Sequence, residues 1–289
     1  MPPTGVKNHA VELVAIFLVV GSTALSQSSQ STSDHGTRDL WDSNLLSKRA
    51  PGKSGKMLRG KDEALLGVTL WKLRPAKPSD NPGVRSLIHE DDQTREWTPE
   101  RIRADTLLRD GDKIRISLES ARTGYLYVVD SDLYEDGSRG NSYLIFPTLS
   151  IRGGDNSVGA GTLVEIPSRE DAPPFFRMRR SRPDQKTELL TIFVSPTPIE
   201  HLQIGRNRLL ISADQIAQWK KHCGCTSAKL EAPGTAGSPY TLAEKTASNS
   251  EKKLTQDDPL PQTMYRLDAR PGQPLFVELQ LQVGPSSAP

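Results

Sequence analysis

The sequence predicts a mainly β protein, an antiparallel β-sandwich with one or two short helices. From residue 65 onward, short segments in which apolar and polar residues alternate are separated by turn residues, as expected of half-buried strands. In the segment KIRISLE, Ile114, Ile116 and Leu118 fall on one face, and charged or polar side chains fall on the other. Several short strands joined by short turns favour two packed sheets.

The first 26 residues predict a secretory signal peptide. Lys7 precedes an apolar run at 13–20, and small residues follow up to Ser26, so cleavage is expected before Gln27. The apolar run is shorter than the roughly 20 residues that span a bilayer, which argues against the alternative of an uncleaved anchor. We therefore expect an exported protein, periplasmic or extracellular, with no stable membrane anchor after cleavage.

Differences in amino-acid composition divide the rest of the chain into four predicted segments. Residues 27–60 are rich in Ser, Gly, Lys and Arg and predict a disordered linker, because they offer little apolar surface to bury. The sandwich domain is expected at 61–225. Residues 226–262 return to a polar composition and predict a second, flexible segment, which is followed by a final strand and tail at 263–289.

From residue 68 onward, the alternating residues assign the strands in order. The first is expected at 68–73 and the second at 113–119, after a turn. The segment YLYVV at 125–129 is apolar on both faces, which is typical of a central strand. Further strands are predicted at 143–147, 163–167, 189–195, 208–211 and 274–283.

Two short helices are predicted between these strands. The first follows Thr98 and Pro99, where the threonine would cap the helix and the proline would occupy its first turn. The second is expected at 212–222, because Ser212 and Gln215 have the spacing of a capping box.

Charge and motifs exclude several classes of function. Lys and Arg total 37 against 35 Asp and Glu, and this net charge of +2 provides no broad attraction to nucleic acid or anionic membranes. The histidines that follow the signal peptide lie near no Gly-x-Ser-x-Gly motif of a hydrolase. The sequence predicts no catalytic residue, no cofactor and no nucleic-acid partner.

The stretch DSDLYEDGS at 130–138 raises the question of a cation site. Asp130, Asp132 and Asp136 are spaced partly like the ligands of a calcium loop, but the central glycine and the terminal glutamate are missing. We expect instead a hairpin that turns at Asp136 and Gly137, and no metal site. The alternative is an envelope hydrolase or metal-dependent enzyme that uses the three aspartates. A single pocket holding them with a histidine would favour it.

Several motifs follow one another in order between residues 65 and 211. They include GDKIRISLESARTGYLYVVDSDLYEDGS, YLIFPT, AGTLVEIPS and ELLTIFVSPTPI. This order resembles the bacterial family called domain of unknown function 4384 (DUF4384). The family has no established activity, and its members occur as exported single-domain proteins or beside peptidase or kinase domains. The resemblance implies an accessory domain and supplies no catalytic residues.

The motif residues have structural explanations of their own. They are Gly124, Tyr125, Tyr127, Phe146, Pro147 and Pro167. The glycine relieves crowding where the chain enters a strand, and the two tyrosines share one face and can bury most of their rings. Each proline ends strand pairing, because it donates no ladder hydrogen bond.

The sequence His222-Cys-Gly-Cys225 is the remaining candidate for chemistry. In an exported protein the two thiols are expected to oxidise, so a disulfide between Cys223 and Cys225 is the first interpretation. An intermolecular disulfide ranks second, and a metal site third, because a closed zinc site needs a fourth ligand. A structural redox protein acting through this pair is therefore a further alternative.

The function predicted from these features is that of an exported, non-catalytic β-domain that binds a partner protein or an envelope polymer. Binding is expected on loops held by a stiff scaffold. In the loop at 168–184, Phe175, Phe176, Arg179 and Arg180 combine aromatic and arginine side chains, which are enriched at interfaces.

Overall fold

The computed structural model describes residues 63–285 with the exception of 233, 249 and 251. The predicted signal peptide and linker lie outside the described residues. The strands, in chain order, are β1 (Glu63–Pro75), β2 (Ser86–Glu90), β3 (Gln93–Ile102), β4 (Lys113–Ser120), β5 (Gly124–Tyr134), β6 (Arg139–Phe146), β7 (Ser157–Val158), β8 (Leu163–Ile166), β9 (Phe176–Arg177), β10 (Gln185–Ser195), β11 (Leu209–Ile211), β12 (Thr226–Glu231), β13 (Thr263–Asp268) and β14 (Leu275–Gln282).

Two antiparallel sheets form a sandwich, which confirms the predicted fold class. The first sheet runs β12-β13-β1-β3-β2, and β4 pairs with β1 and also with β8 and β9. The second runs β11-β6-β5-β10-β14, and β7 pairs with β5. Helix α1 (Ala213–Cys223) and helix α2 (Leu242–Ser248) lie outside the sheets, and short 3-10 turns occur at Pro82–Val84 and Arg152–Gly154. No helix in the described part of the chain is long and apolar enough to cross a membrane.

The main core lies between the two sheets. Leu66, Val68 and Leu70 of β1 point into it, and so do Val128 of β5 and Ile192 of β10, all nearly inaccessible to solvent. Alternation along each strand brings these side chains to one face. Their burial is the principal hydrophobic contribution to folding.

The second sheet is covered on its outer face as well. Tyr127 and Phe193 on that face pack against Trp219 of α1, and the rings of Phe193 and Trp219 stack with centroids 5.3 Å apart. This explains why the segment YLYVV is apolar on both faces, and β5 is a central strand as predicted.

Helix α1 matches its predicted position to within one residue. The Ser212 hydroxyl accepts a hydrogen bond from the backbone N–H of Gln215 at 3.1 Å, as a helix cap does. Gly224 ends the helix with a φ of 54°, a left-handed conformation that glycine adopts without strain.

Two predictions about local structure are wrong. Residues 93–102 form strand β3, not a helix after Thr98, because pairing of β3 with β1 and β2 outweighs a local capping signal. Residues 226–262 are not a flexible segment in the described part of the chain, since they contribute β12 and α2. They cover the outer face of the first sheet, where Tyr240 packs edge-on against Trp71 with ring centroids 4.8 Å apart.

Candidate binding cleft

A cleft of about 670 Å³ opens between the two sheets at the end of the apolar core. Strands β4, β5, β6 and β10 contribute its inner surface, and the chain segments 172–181 and 206–208 contribute its rim. The apolar part of the lining includes Ile114 and Ile116 of β4 and Leu190 of β10. Clefts of this size and mixed character are the usual sites for small ligands or short segments of larger ones.

Three carboxylates line the cleft side by side. Asp130 and Asp132 are two residues apart on β5 and therefore face the same side of the sheet. Glu188 of β10 is the residue directly opposite Asp132 in the antiparallel register. Directly opposed residues on neighbouring strands lie close together, so two like charges meet here.

The predicted aspartate trio is therefore only partly brought together. Asp136 lies outside the cleft, in the hairpin turn that the sequence predicts, where its carboxylate accepts a hydrogen bond from the backbone N–H of Ser138 at 2.8 Å. Gly137 has a φ of 81°, and its N–H donates to the Tyr134 carbonyl at 3.0 Å. The hairpin is confirmed, but its turn begins only after Tyr134, so Asp130 and Asp132 belong to the strand.

Asp132 is held by its neighbours. Its Oδ1 accepts a hydrogen bond from the Gln185 side-chain amide at 2.8 Å, and the Tyr134 hydroxyl lies 3.5 Å from Oδ2. The same glutamine accepts a hydrogen bond from the Ser181 N–H at 2.8 Å. These contacts fix the carboxylate and join the rim segment to strand β10.

Asp130 and Glu188 have less support, although the backbone of Ser131 forms a hydrogen bond with the Asp130 carboxyl group. The Oδ1 atom of Asp130 is buried without a hydrogen-bond partner, and Glu188 is 9% exposed with no hydrogen bond or ion pair to its carboxylate among the described residues. Burial, followed by the charge of Asp132, raises the pKa of Asp130 to about 7, although the Arg208 guanidinium opposes this. Burial and the two aspartates raise the pKa of Glu188 to about 9.

These raised values predict that the folded protein loses stability as pH rises. The unfolded chain releases both protons near the ordinary values of 3.8 and 4.5, whereas the folded chain keeps them to about 7 and about 9. Between these limits the folded state binds more protons, so each pH increase favours unfolding. We expect the free energy of unfolding, measured in urea, to fall between pH 5 and pH 9.

Glu188→Gln should remove much of this fall, and at pH 9 it should stabilise the protein by at least about 1 kcal/mol, or about 2–4 °C in Tm. The exposed Glu200→Gln is the matched control and should follow the unmodified protein. Identical pH profiles for the Glu188→Gln variant and the unmodified chain would contradict the assignment.

Arginines form the rim of the cleft. The two arginines among the predicted binding residues differ in their exposure and in their hydrogen bonds. Arg179 is exposed, whereas the Arg180 guanidinium donates to the carbonyls of Pro183 at 2.9 Å and Gln185 at 2.8 Å. Phe176 is half-buried in β9. Phe175 also lines the cleft, but it is only 4% exposed and packs in a small core cluster.

Phe175 therefore supports the fold, so the expectation that it lies exposed on a loop is wrong. Sequence reasoning also missed Arg206 and Arg208, which lie on the rim, and Arg208 stacks over the Tyr143 ring at 4.0 Å.

Glu188 was missed as well, although a signal for it exists. It lies an even number of residues from Leu190, Ile192 and Val194, and therefore on the same face of β10 as these side chains, which face the core. A glutamate directly before the predicted strand at 189–195, in phase with its inward residues, indicates a polar interior site, but only the strand register shows that Asp132 lies opposite.

The motif residues have the structural roles expected of them. A Cβ on Gly124 would lie 2.4 Å from the Ser195 carbonyl oxygen, so only glycine fits there. Tyr127 is buried in the outer cluster, and its hydroxyl accepts a hydrogen bond from the N–H of Ile199 at 2.8 Å. Phe146 is fully buried, and Pro147 directly follows the last residue of β6. The half-buried Tyr125 packs on the same outer cluster, and Pro167 directly follows β8.

Cys223 and Cys225 form a disulfide with each other, with Cα atoms 5.1 Å apart. Cys223, the last residue of helix α1, is 1% exposed and packs in the same cluster as Trp219 of that helix. This agrees with the first interpretation of the pair, and burial of Cys223 leaves it poorly accessible to a redox partner.

The polar groups of the cleft are carboxylates, phenols, guanidinium groups, hydroxyls and side-chain amides, and no histidine or cysteine lines it among the described residues. Within the described residues, no group of three His, Cys, Asp or Glu side chains could hold a metal ion. Comparisons with protein-family models, with curated proteins and with solved structures found no match. The resemblance to the family named above stays a prediction.

Proposed function

We propose that this chain is an exported, non-catalytic domain that binds a short segment of a partner protein or of an envelope polymer in the cleft between its sheets. The observation that carries the proposal is a charged cleft of about 670 Å³ built on two sheets. A cleft of this volume accommodates a few residues or sugar units of a longer ligand. The N-terminal signal sequence supports export.

The rim of the cleft is already shaped for binding. The Tyr134 hydroxyl and the Ser181 hydroxyl are 3.1 Å apart, and the Arg182 guanidinium lies over the Tyr134 ring at 3.9 Å. With the hydrogen bonds of Arg180 described above, these contacts tie the segment before β10 to the sheet. A preorganised site binds more tightly because less conformational freedom is lost on association.

The charges favour a ligand with an anionic group at the mouth of the cleft. Arg179 and Arg206 are exposed there, and neither guanidinium has an ion-pair or hydrogen-bond partner among the described residues. Guanidinium groups bind carboxylates and phosphates through paired, charge-assisted hydrogen bonds.

The double substitution of Arg179 and Arg206 by alanine tests the cleft directly. We expect it to weaken binding of captured ligands by at least about tenfold, the equivalent of one charge-assisted hydrogen bond or more. The full chain would be immobilised and tested by surface plasmon resonance against arrays of short peptides and of defined cell-wall saccharides. A double Arg95→Ala and Arg109→Ala variant removes the same charge outside the cleft and should bind normally. Ligands that bind the cleft variant as well as the unmodified chain would contradict the proposal.

A second candidate function is acid–base hydrolysis in the same cleft. It is favoured by the pKa values of Asp130 and Glu188, because carboxyl groups with raised pKa values are common in active sites. In that case Glu188 would donate a proton, with Asp132 directly opposite it in the strand register. Turnover of an array saccharide or peptide, abolished by Glu188→Gln, would support this alternative against simple binding.

A further inference from the structure

Glu188, the buried carboxylate of the cleft, differs from three other buried acidic groups of this protein, and the half-buried Asp130 and Asp132 lie beside it. Glu165 is ion-paired with Arg115, Glu244 with Arg101, and Asp80 with Arg74. Among the described residues, no ion pair reaches Asp130, Asp132 or Glu188, although arginines lie on the same cleft. A buried carboxyl group without a positive partner is costly to ionise, and a cation supplied by a ligand would lower that cost.

The nearby arginines have other partners or point to the rim. Arg177 forms an ion pair with Glu90, Arg180 bonds to main-chain carbonyls, and Arg208 lies over the Tyr143 ring. Arg208 is close enough to lower the pKa of Asp130 but makes no ion pair with it. The carboxylates therefore keep acceptor atoms available to a ligand. The Oδ1 atom of Asp130 is buried without a partner, and the carboxylate of the nine-tenths buried Glu188 has none either.

We propose that Asp130, Asp132 and Glu188 form a subsite for the ammonium group of a lysine side chain carried by a peptide segment of the partner protein. This rests on the proposed function and specifies its ligand. A primary ammonium has three donors, and the unpartnered acceptors beside Asp132 are Oδ1 of Asp130 and the carboxylate of Glu188. A metal ion is the poorer candidate, because these three groups do not meet the arrangement needed to hold one.

The apolar surroundings favour a lysine stem over an amino sugar. Ile145 of β6 and Phe176 of β9 line the cleft and are only half-buried, so apolar surface remains accessible there. A flexible chain of four methylene groups can pass along such surface and bring only its charged end to the acids. An amino group attached to a sugar ring would require the whole polar ring to enter the cleft.

The subsite is expected to bind with release of protons, because the carboxyl groups must ionise to pair with the ammonium. Other titratable groups that line the cleft are Asp132, Tyr134 and Tyr143 on the strands. The charged groups of the rim are Arg177, Arg179, Arg180, Arg206 and Arg208. Affinity should therefore rise from pH 6 to pH 9, below the pKa near 10.4 at which lysine loses its own proton.

The test is an amide NMR titration of the full chain with the acetylated peptide Gly-Gly-Lys-Gly-Gly and its counterpart with norleucine in place of lysine. We expect saturable shifts at Asp130, Asp132 and Glu188 with the lysine peptide only, and at least about tenfold weaker binding in Glu188→Gln and Asp130→Asn. Glu200→Gln, on an exposed side chain, is the control and should bind normally. Thermal unfolding shows that each variant is folded.

Several results would overturn the subsite. They are equal binding of the norleucine peptide, unchanged affinity in both cleft variants, or the absence of saturable shifts between pH 6 and pH 9. Tighter binding of glucosamine than of the lysine peptide would also overturn it, in favour of a polymer ligand. If the lysine peptide does not bind at the subsite, but the Arg179 and Arg206 substitutions still weaken binding of the array ligands, the proposed binding function stands. If those substitutions do not weaken binding of the array ligands either, both proposals fail.

Discussion

Arg101→Ala is expected to lower the free energy of unfolding by about 3–5 kcal/mol, because it leaves Glu244 buried without its positive partner. The two side chains are 2% and 4% exposed and form an ion pair between strand β3 and helix α2. Arg101 also donates to the Leu260 carbonyl at 2.6 Å and lies over the Trp71 ring at 4.9 Å. The loss should appear in urea unfolding curves at neutral pH.

The same substitution should loosen the segment 226–262 before the sandwich unfolds. Faster hydrogen exchange confined to that segment would show this local opening. Arg103→Ala removes an arginine from an exposed ion pair with Asp105 and is the matched control, with an expected change within about 0.5 kcal/mol. A double Arg101→Met and Glu244→Leu variant should recover most of the stability, since two apolar side chains leave no unpaired charge. Equal stability of Arg101→Ala and Arg103→Ala would contradict this view of the pair.

Trp219→Ala should have a comparable effect, a loss of about 3–5 kcal/mol, on the opposite side of the molecule. Trp219 is 5% exposed, stacks on Phe193 and lies 6.2 Å, between ring centroids, from Tyr127. Its removal opens a cavity between helix α1 and the second sheet, which the remaining side chains of the helix cannot fill. Thermal unfolding and urea titration both measure the loss.

Lys221→Ala is the control for Trp219→Ala, because it changes an exposed residue of the same helix. It should leave stability within about 0.5 kcal/mol of the unmodified protein. Trp219→Phe should fall between the two, since it keeps an aromatic ring on Phe193. A loss below about 1 kcal/mol for Trp219→Ala would mean that the helix does not hold the outer face of the sheet.

The hydrophobic pattern alone was sufficient for the fold class and for much of the local structure. Alternation predicts the inward faces of β4 and β14, and the two-sided apolar segment at 125–129 predicts a central strand. The cap at Ser212 predicts helix α1, and the Asp136-Gly137 pair predicts the hairpin turn. Each of these signals is local, because it depends on residues within one turn or one strand.

Two segments adopt structures that depend on contacts with residues distant in sequence, and only the tertiary structure shows these contacts. Residues 226–262 are polar in sequence, yet Tyr240 and Glu244 are buried because Trp71 and Arg101 lie beneath them on the first sheet. The short segment at Thr98 is a strand for the same reason, since β1 and β2 supply its hydrogen bonds. Composition cannot show such contacts, because it does not contain the position of the partner.

The residues of the candidate site could likewise be predicted only in part from the sequence. The sequence placed Asp130 and Asp132 in one hairpin and Phe176, Arg179 and Arg180 on one loop, whereas only the structure showed that the two aspartates share a face of strand β5. Only the register of β5 against β10 placed Glu188 opposite Asp132, and only sheet packing brought that face to the arginine rim. The physical reason is that the pKa of a carboxyl group depends on burial and neighbouring charge, which arise when strands far apart in sequence come together.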